Sequence, residues 1–111
     1  MAFNPPAMAT PSRCVADFSL KPIGTQPSYS QQIAQVQDLL RGSGLKSYMH
    51  ATGTTIEGTW DQVVQWIGFA HTLIHQTGVS RIETDVRIIT RTDKVQPMEG
   101  YVASVERILS A

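Results

Sequence analysis

The chain is short of cysteine, of aromatic residues, of net charge and of long apolar runs. Cys14 is the only cysteine in 111 residues, which rules out an internal disulfide and a thiolate metal cluster. A reducing, cytoplasmic compartment suits such a sequence. Nine Lys and Arg against nine Asp and Glu leave zero formal charge. That balance argues against a nucleic-acid partner, which calls for a basic face, and against a polybasic membrane anchor. No apolar run approaches the roughly 20 residues of a membrane span. The first thirteen residues, with three prolines and one charge, lack the apolar core of a secretory signal. They read as a disordered tail ahead of one domain over 14–111.

What is present is alternation and two kinds of helix signal. From Cys14, Ala16, Phe18 and Leu20 face one way and Asp17, Ser19 and Lys21 the other, a half-buried strand closed by Pro22 and Gly24. Ser28 and Gln31 have capping-box spacing ahead of the stripe Tyr29, Ile33, Val36 and Leu40, and Gly42 and Gly44 end that helix. Tyr48 to Thr52 alternates again, Gly53 turns the chain, and Thr54 to Gly58 returns as a short strand. Thr59 and Gln62 repeat the capping box before a long helix that stops at Gly78. Ile82, Thr84, Val86 and Ile88 alternate with Arg81, Glu83, Asp85 and Arg87, and Pro97 opens a last amphipathic helix. The order β-α-β-β-α-β plus a C-terminal helix is an α+β, ferredoxin-like sandwich.

Two helices on the face bearing Phe18, Leu20, Met49, Val86 and Ile88 leave a polar face. It collects Asp17, Ser19, Lys21, Tyr48, His50, Thr52, Glu83, Asp85 and Arg87. Such a face is either a solvated side of an antiparallel sheet or a contact surface for a ligand or subunit. His71 and His75 have the spacing of a metal pair. They lack the glutamate of the His-Glu-x-x-His pattern, and His71 falls within the packing stripe of Trp60, Val63, Val64, Ile67 and Ile74. Cys14 has no basic neighbour beyond Arg13, and no Gly-x-Ser-x-Gly elbow is present. No catalytic set is indicated. A second stripe on the long helix, Trp66, Phe69 and Leu73, is expected to be covered by the C-terminal helix and a partner subunit.

Three segments occur in register: Lys21 to Thr25 (KPIGT), His50 to Gly58 (HATGTTIEG), and Thr84 to Lys94 with TDVRI and TRTDK. Together they closely resemble the small thiamine-binding-protein family, related to the YkoF-like proteins. The resemblance implies a ferredoxin-like fold, assembly into homodimers or homotetramers, and non-catalytic binding of thiamine, its pyrimidine half or a thiamine phosphate, with no cofactor. For such a ligand the expected contacts are Glu57 and Asp85 as carboxylates and Thr54 and Thr55 as hydroxyls. His50 supplies a switchable donor or acceptor, and Tyr48 or Trp60 an aromatic wall. Arg87 either neutralises Asp85 or holds an anionic ligand. The alternatives are a structural or anion-binding oligomer of the same fold, and an enzyme using His50 as acid or base. Because His71 and His75 have no third ligand at recognisable spacing, chelator treatment is expected to leave the melting temperature unchanged. A stoichiometric zinc signal in purified protein would overturn that expectation.

Overall fold

The computed structural model describes residues 8–24 and 27–111. Most of the sequence-expected tail, residues 1–7, and Thr25 of the first quoted segment lie outside it. In chain order the elements are β1 (Cys14–Ile23), α1 (Ser30–Arg41), β2 (Lys46–His50), β3 (Gly53–Gly58), α2 (Trp60–Gln76), β4 (Arg81–Ile89) and α3 (Met98–Leu109). The sheet order is β2-β3-β1-β4, every pair antiparallel. This is the ferredoxin-like α+β arrangement with a C-terminal helix added.

β1 is a central strand, paired on both sides, and its burial alternates strictly along its length. Cys14, Ala16, Phe18 and Leu20 enter the core with Ile56 of β3, Val36 and Leu40 of α1, and Val63, Ile67, Ala70 and Ile74 of α2. Each large aliphatic side chain removed from water there contributes about 1.5–3 kcal/mol. Two helices cannot cover four strands evenly, and the edges are left short. Met49 on β2 and Val86 on β4 point to the helix side as expected, yet remain 56% and 41% exposed.

Helix α2 starts as the sequence predicts: Gln62 N donates to Thr59 Oγ1 and Thr59 N donates to Gln62 Oε1, both at 3.1 Å. Helix α1 does not. Its N-cap is Tyr29, no side chain caps it, and Ser28 instead meets the Ser30 hydroxyl at 3.1 Å. After α1 only Gly44 takes a positive φ, at 75°; Gly42 stays right-handed at −83°. Ahead of α2, Trp60 N donates to the Pro11 carbonyl at 3.1 Å, and Thr10 Oγ1 donates to Asp61 at 2.9 Å.

Gly53, at the head of β3, is required by a close approach. A Cβ there would lie 2.6 Å from the Phe18 carbonyl oxygen, a backbone atom that moves only with the strand. Gly53→Ala is therefore expected to destabilise the protein by about 1–3 kcal/mol. Gly68→Ala, an exposed helix position with nothing within 4 Å of the added carbon, should be neutral or stabilising by up to about 1 kcal/mol. Urea titrations of both variants check the pair, and equal midpoints would refute the close-approach argument.

Candidate functional site

The register lines up four polar side chains across the open face. Tyr48 of β2 stands opposite Thr55 of β3, Thr55 opposite Asp17 of β1, and Asp17 opposite Arg87 of β4. Directly paired residues share a face, so Tyr48, Thr55, Asp17 and Arg87 form one transverse row. His50, two residues beyond Tyr48 on the same side, donates from Nε2 to Asp17 Oδ1 at 2.6 Å. Arg87 Nη2 lies 3.8 Å from the other oxygen of Asp17. Asp85 pairs with Lys21 rather than with Arg87, and its hydrogen bond raises the Lys21 pKa. Asp17, Ser19, Lys21, Thr52, Asp85 and Arg87 line an open concavity of about 550 Å³.

Asp17 and Lys21 are among the residues that sequence reasoning placed on this face without choosing for the site. Their signal was position: β1 is central, so its outward side chains reach both neighbouring strands. Asp17 is 37% exposed while Tyr48 is 68% exposed. The carboxylate is thus half-sheltered and the phenol ring is free to stack.

Three expected contacts sit elsewhere. Thr54 pairs with Phe18 and so faces the helices; it is buried and its hydroxyl accepts from Gln37 Nε2 at 2.8 Å. Trp60 opens α2 beyond the far end of β3, roughly 17 Å along the strand from the hairpin. Glu57 lies on the open face but is only 5% exposed. Arg13 Nη2 approaches it at 3.0 Å and Lys46 Nζ at 3.4 Å, and Met98 N donates to its Oε1 at 3.4 Å. Lys46 also reaches Glu99 at 3.0 Å. Glu57 therefore anchors the first turn of α3 to the sheet. This sets α3 on the sheet face opposite α2, so it does not cover the Trp66 stripe. Trp66 and Leu73 instead pack at the margin of the core, and Phe69 meets the Trp66 ring edge-on at 5.1 Å.

The histidines of α2 are engaged separately. His71 Nε2 lies 2.7 Å from the Thr84 hydroxyl, and His75 Nδ1 donates to the Val79 carbonyl at 2.8 Å. Burial, with a smaller contribution from His75, holds the His71 pKa below its ordinary value. Burial likewise pushes the Cys14 thiol up, against the smaller pull of Arg13.

A family profile described as thiamine-binding protein matches residues 16–106. The chain belongs to the thiamine-binding protein family. Among its relatives, the UPF0045 protein ECM15 of Eremothecium gossypii is 44% identical over 97 residues, spanning 86% of this chain and 92% of the relative. The UPF0045 protein sll0230 of Synechocystis is 41% identical over 92 residues, or 83% and 76%. The crystal structure of MJ1052 from Methanocaldococcus jannaschii superposes with a TM-score of 0.79 at 25% identity, covering 86% of this chain and 97% of that one. A Thermotoga maritima protein of proposed thiamine biosynthesis or salvage shares the fold, with a TM-score of 0.72 at 14% identity over 84% of this chain and 98% of that one.

The family profile runs from Ala16 within β1 through most of α3 and so includes the Asp17 row and Glu57, though not Arg13. The two can be separated experimentally. Glu57→Gln keeps the shape and removes charge-assisted bonds that contribute roughly 1.5–3 kcal/mol. Amide exchange in α3 is expected to quicken about tenfold or more, with core amides of β1 little changed. Unchanged exchange in α3 would show that Glu57 does not hold the helix.

Proposed function

We propose that this chain binds thiamine or a related small metabolite on the open sheet face, without turning it over, as a homo-oligomer. The observation that carries the reading is the Tyr48–Thr55–Asp17–Arg87 row with His50 on Asp17. Thiamine presents an aminopyrimidine and a cationic thiazolium. A half-sheltered carboxylate accepts from the amino group or pairs with the cation. Thr55 and His50 supply further polar contacts, and Tyr48 offers a ring face for stacking. Asp85 adds a second carboxylate nearby. Glu57, Thr54 and Trp60 support the framework in this reading. Support for self-association comes from the outer side of α3, where Ile108 and Leu109 are 76% and 78% exposed. An apolar strip of that kind usually marks an interface, and a dimer or tetramer would cover it. The lone, buried Cys14 accords with a reducing, cytoplasmic setting.

A second reading is supported by one contact. A carboxylate 2.6 Å from an imidazole is also how enzymes orient a histidine base. Turnover of a thiamine derivative that disappears in His50→Gln would favour it.

The deciding measurement is calorimetric titration of thiamine into wild type and Asp17→Asn at matched pH and salt. Affinity is expected to fall about ten- to a hundredfold, as for loss of a charge-assisted hydrogen bond. Equal affinities would remove Asp17 from the site. Absence of heat with thiamine and its derivatives would leave a structural oligomer as the better account.

A further inference from the structure

Beyond the Asp17 row, where two carboxylates face two cations, the open face becomes richer in cations. A second concavity, about 330 Å³, lies where β1 begins and β4 ends, beneath the first turns of α3. Its floor is Val15 and Ile89, which pair directly. Arg13, Arg91 and Lys94 line it against one carboxylate, Glu57, with Thr92 and the half-buried Tyr101 beside them. That carboxylate is already neutralised by Arg13 and Lys46. Arg91 is held by Asp93, at 2.5 and 2.8 Å, and by Gln96. Among the described residues Lys94 has no ion-pair partner. A chain with zero net charge thus gathers three of its nine cations around one hollow.

We infer that this hollow is a subsite for a phosphate group, so that the face favours a phosphate ester of a cationic heterocycle over the free alcohol. The inference rests on the thiamine-type reading of the Asp17 row. Val15 and Ile89 stand one row from Asp17 and Arg87, two residues or about 7 Å along the strands; Arg13 and Arg91 follow two residues further on, just past the ends of β1 and β4, within about 14 Å of the row. A small molecule carrying a cation at one end and a phosphate at the other spans that interval. The Arg91–Asp93 pair joins exposed groups and contributes little, so it exchanges readily for phosphate, which a guanidinium holds bidentately. Lys94 adds a point charge on a flexible stem, and the Tyr101 and Thr92 hydroxyls supply donors to phosphate oxygens.

The test has two arms with separate readouts. In the first, calorimetry compares thiamine with thiamine monophosphate on wild type, Lys94→Gln and Arg91→Lys. The phosphate ester is expected to bind wild type about tenfold tighter or more. That advantage should shrink severalfold in each variant, while thiamine itself binds all three alike. In the second, inorganic phosphate alone is titrated against amide resonances. Shifts confined to Arg91–Gln96 and Tyr101 are expected in wild type, and they should weaken in Lys94→Gln, whose melting curve verifies its fold. If thiamine binds but its phosphate gains nothing, the subsite falls and the thiamine reading stands. If phosphate shifts those amides while no thiamine derivative binds, the subsite stands and the thiamine reading falls. Phosphate shifts scattered over the surface, or unchanged by Lys94→Gln, overturn the subsite.

Discussion

β1 is hydrogen-bonded along both edges, to β3 from Cys14 to Phe18 and to β4 from Val15 to Ile23. Its even residues are buried under two helices, and a slip of one residue would send Phe18 and Leu20 into water and Asp17 into the core. Burying an unpaired carboxylate costs several kcal/mol, as does exposing two large apolar side chains. The register is thus held by both faces together. Because β1 is central, holding it also fixes which residues of β3 and β4 flank Asp17. The polar row is a consequence of core packing, and the candidate site inherits the rigidity of a strand paired along both edges.

How much of this was legible depended on the range of the interaction concerned. Local signals served well. The period of two in β1 and β4 assigned their faces, and Thr59 with Gln62 predicted a capping box that the structure forms. Ser28 and Gln31 carried the same spacing and form none, because the chain enters α1 one residue later, at Tyr29. Spacing states only that a box is possible. Thr54 was misplaced for a related reason. It was named with Thr55 as a pair of hydroxyl contacts, whereas adjacent strand residues necessarily point to opposite faces. The pairing Phe18↔Thr54 decides which.

The position of α3 was the least legible feature, and its physics explains why. Its apolar stripe contains Val102, Val105 and Leu109, and such a stripe says that a helix must pack, not where. Placement comes instead from polar contacts distant in sequence: Glu57 to Met98 N, and Lys46 to Glu99. A buried carboxylate is tolerated only when paired and hydrogen-bonded, so Glu57 draws Arg13, Lys46 and the helix N-terminus to one point. No residue of α3 is itself fully buried. The helix is held at one end by charge and remains apolar along its outer side, where Val102, Val105, Ile108 and Leu109 are exposed.

Zero net charge, read from composition, hides an uneven placing of cations. Around Asp17 and Asp85 two carboxylates are balanced by Lys21 and Arg87, while towards α3 Arg13, Arg91 and Lys94 line a hollow with one carboxylate, Glu57. Each centre is partly neutralised at home, Asp17 by Arg87, Asp85 by Lys21 and Arg91 by Asp93. These pairs leave little unbalanced charge facing water. Those pairs involve exposed groups, so separating them costs little. In the proposed reading, a ligand with complementary ends would take the place of these weak, solvated pairs. Its selectivity would come from the interval between the two ends rather than from total charge, and most of that interval is the rise of β1, whose register both neighbouring strands fix.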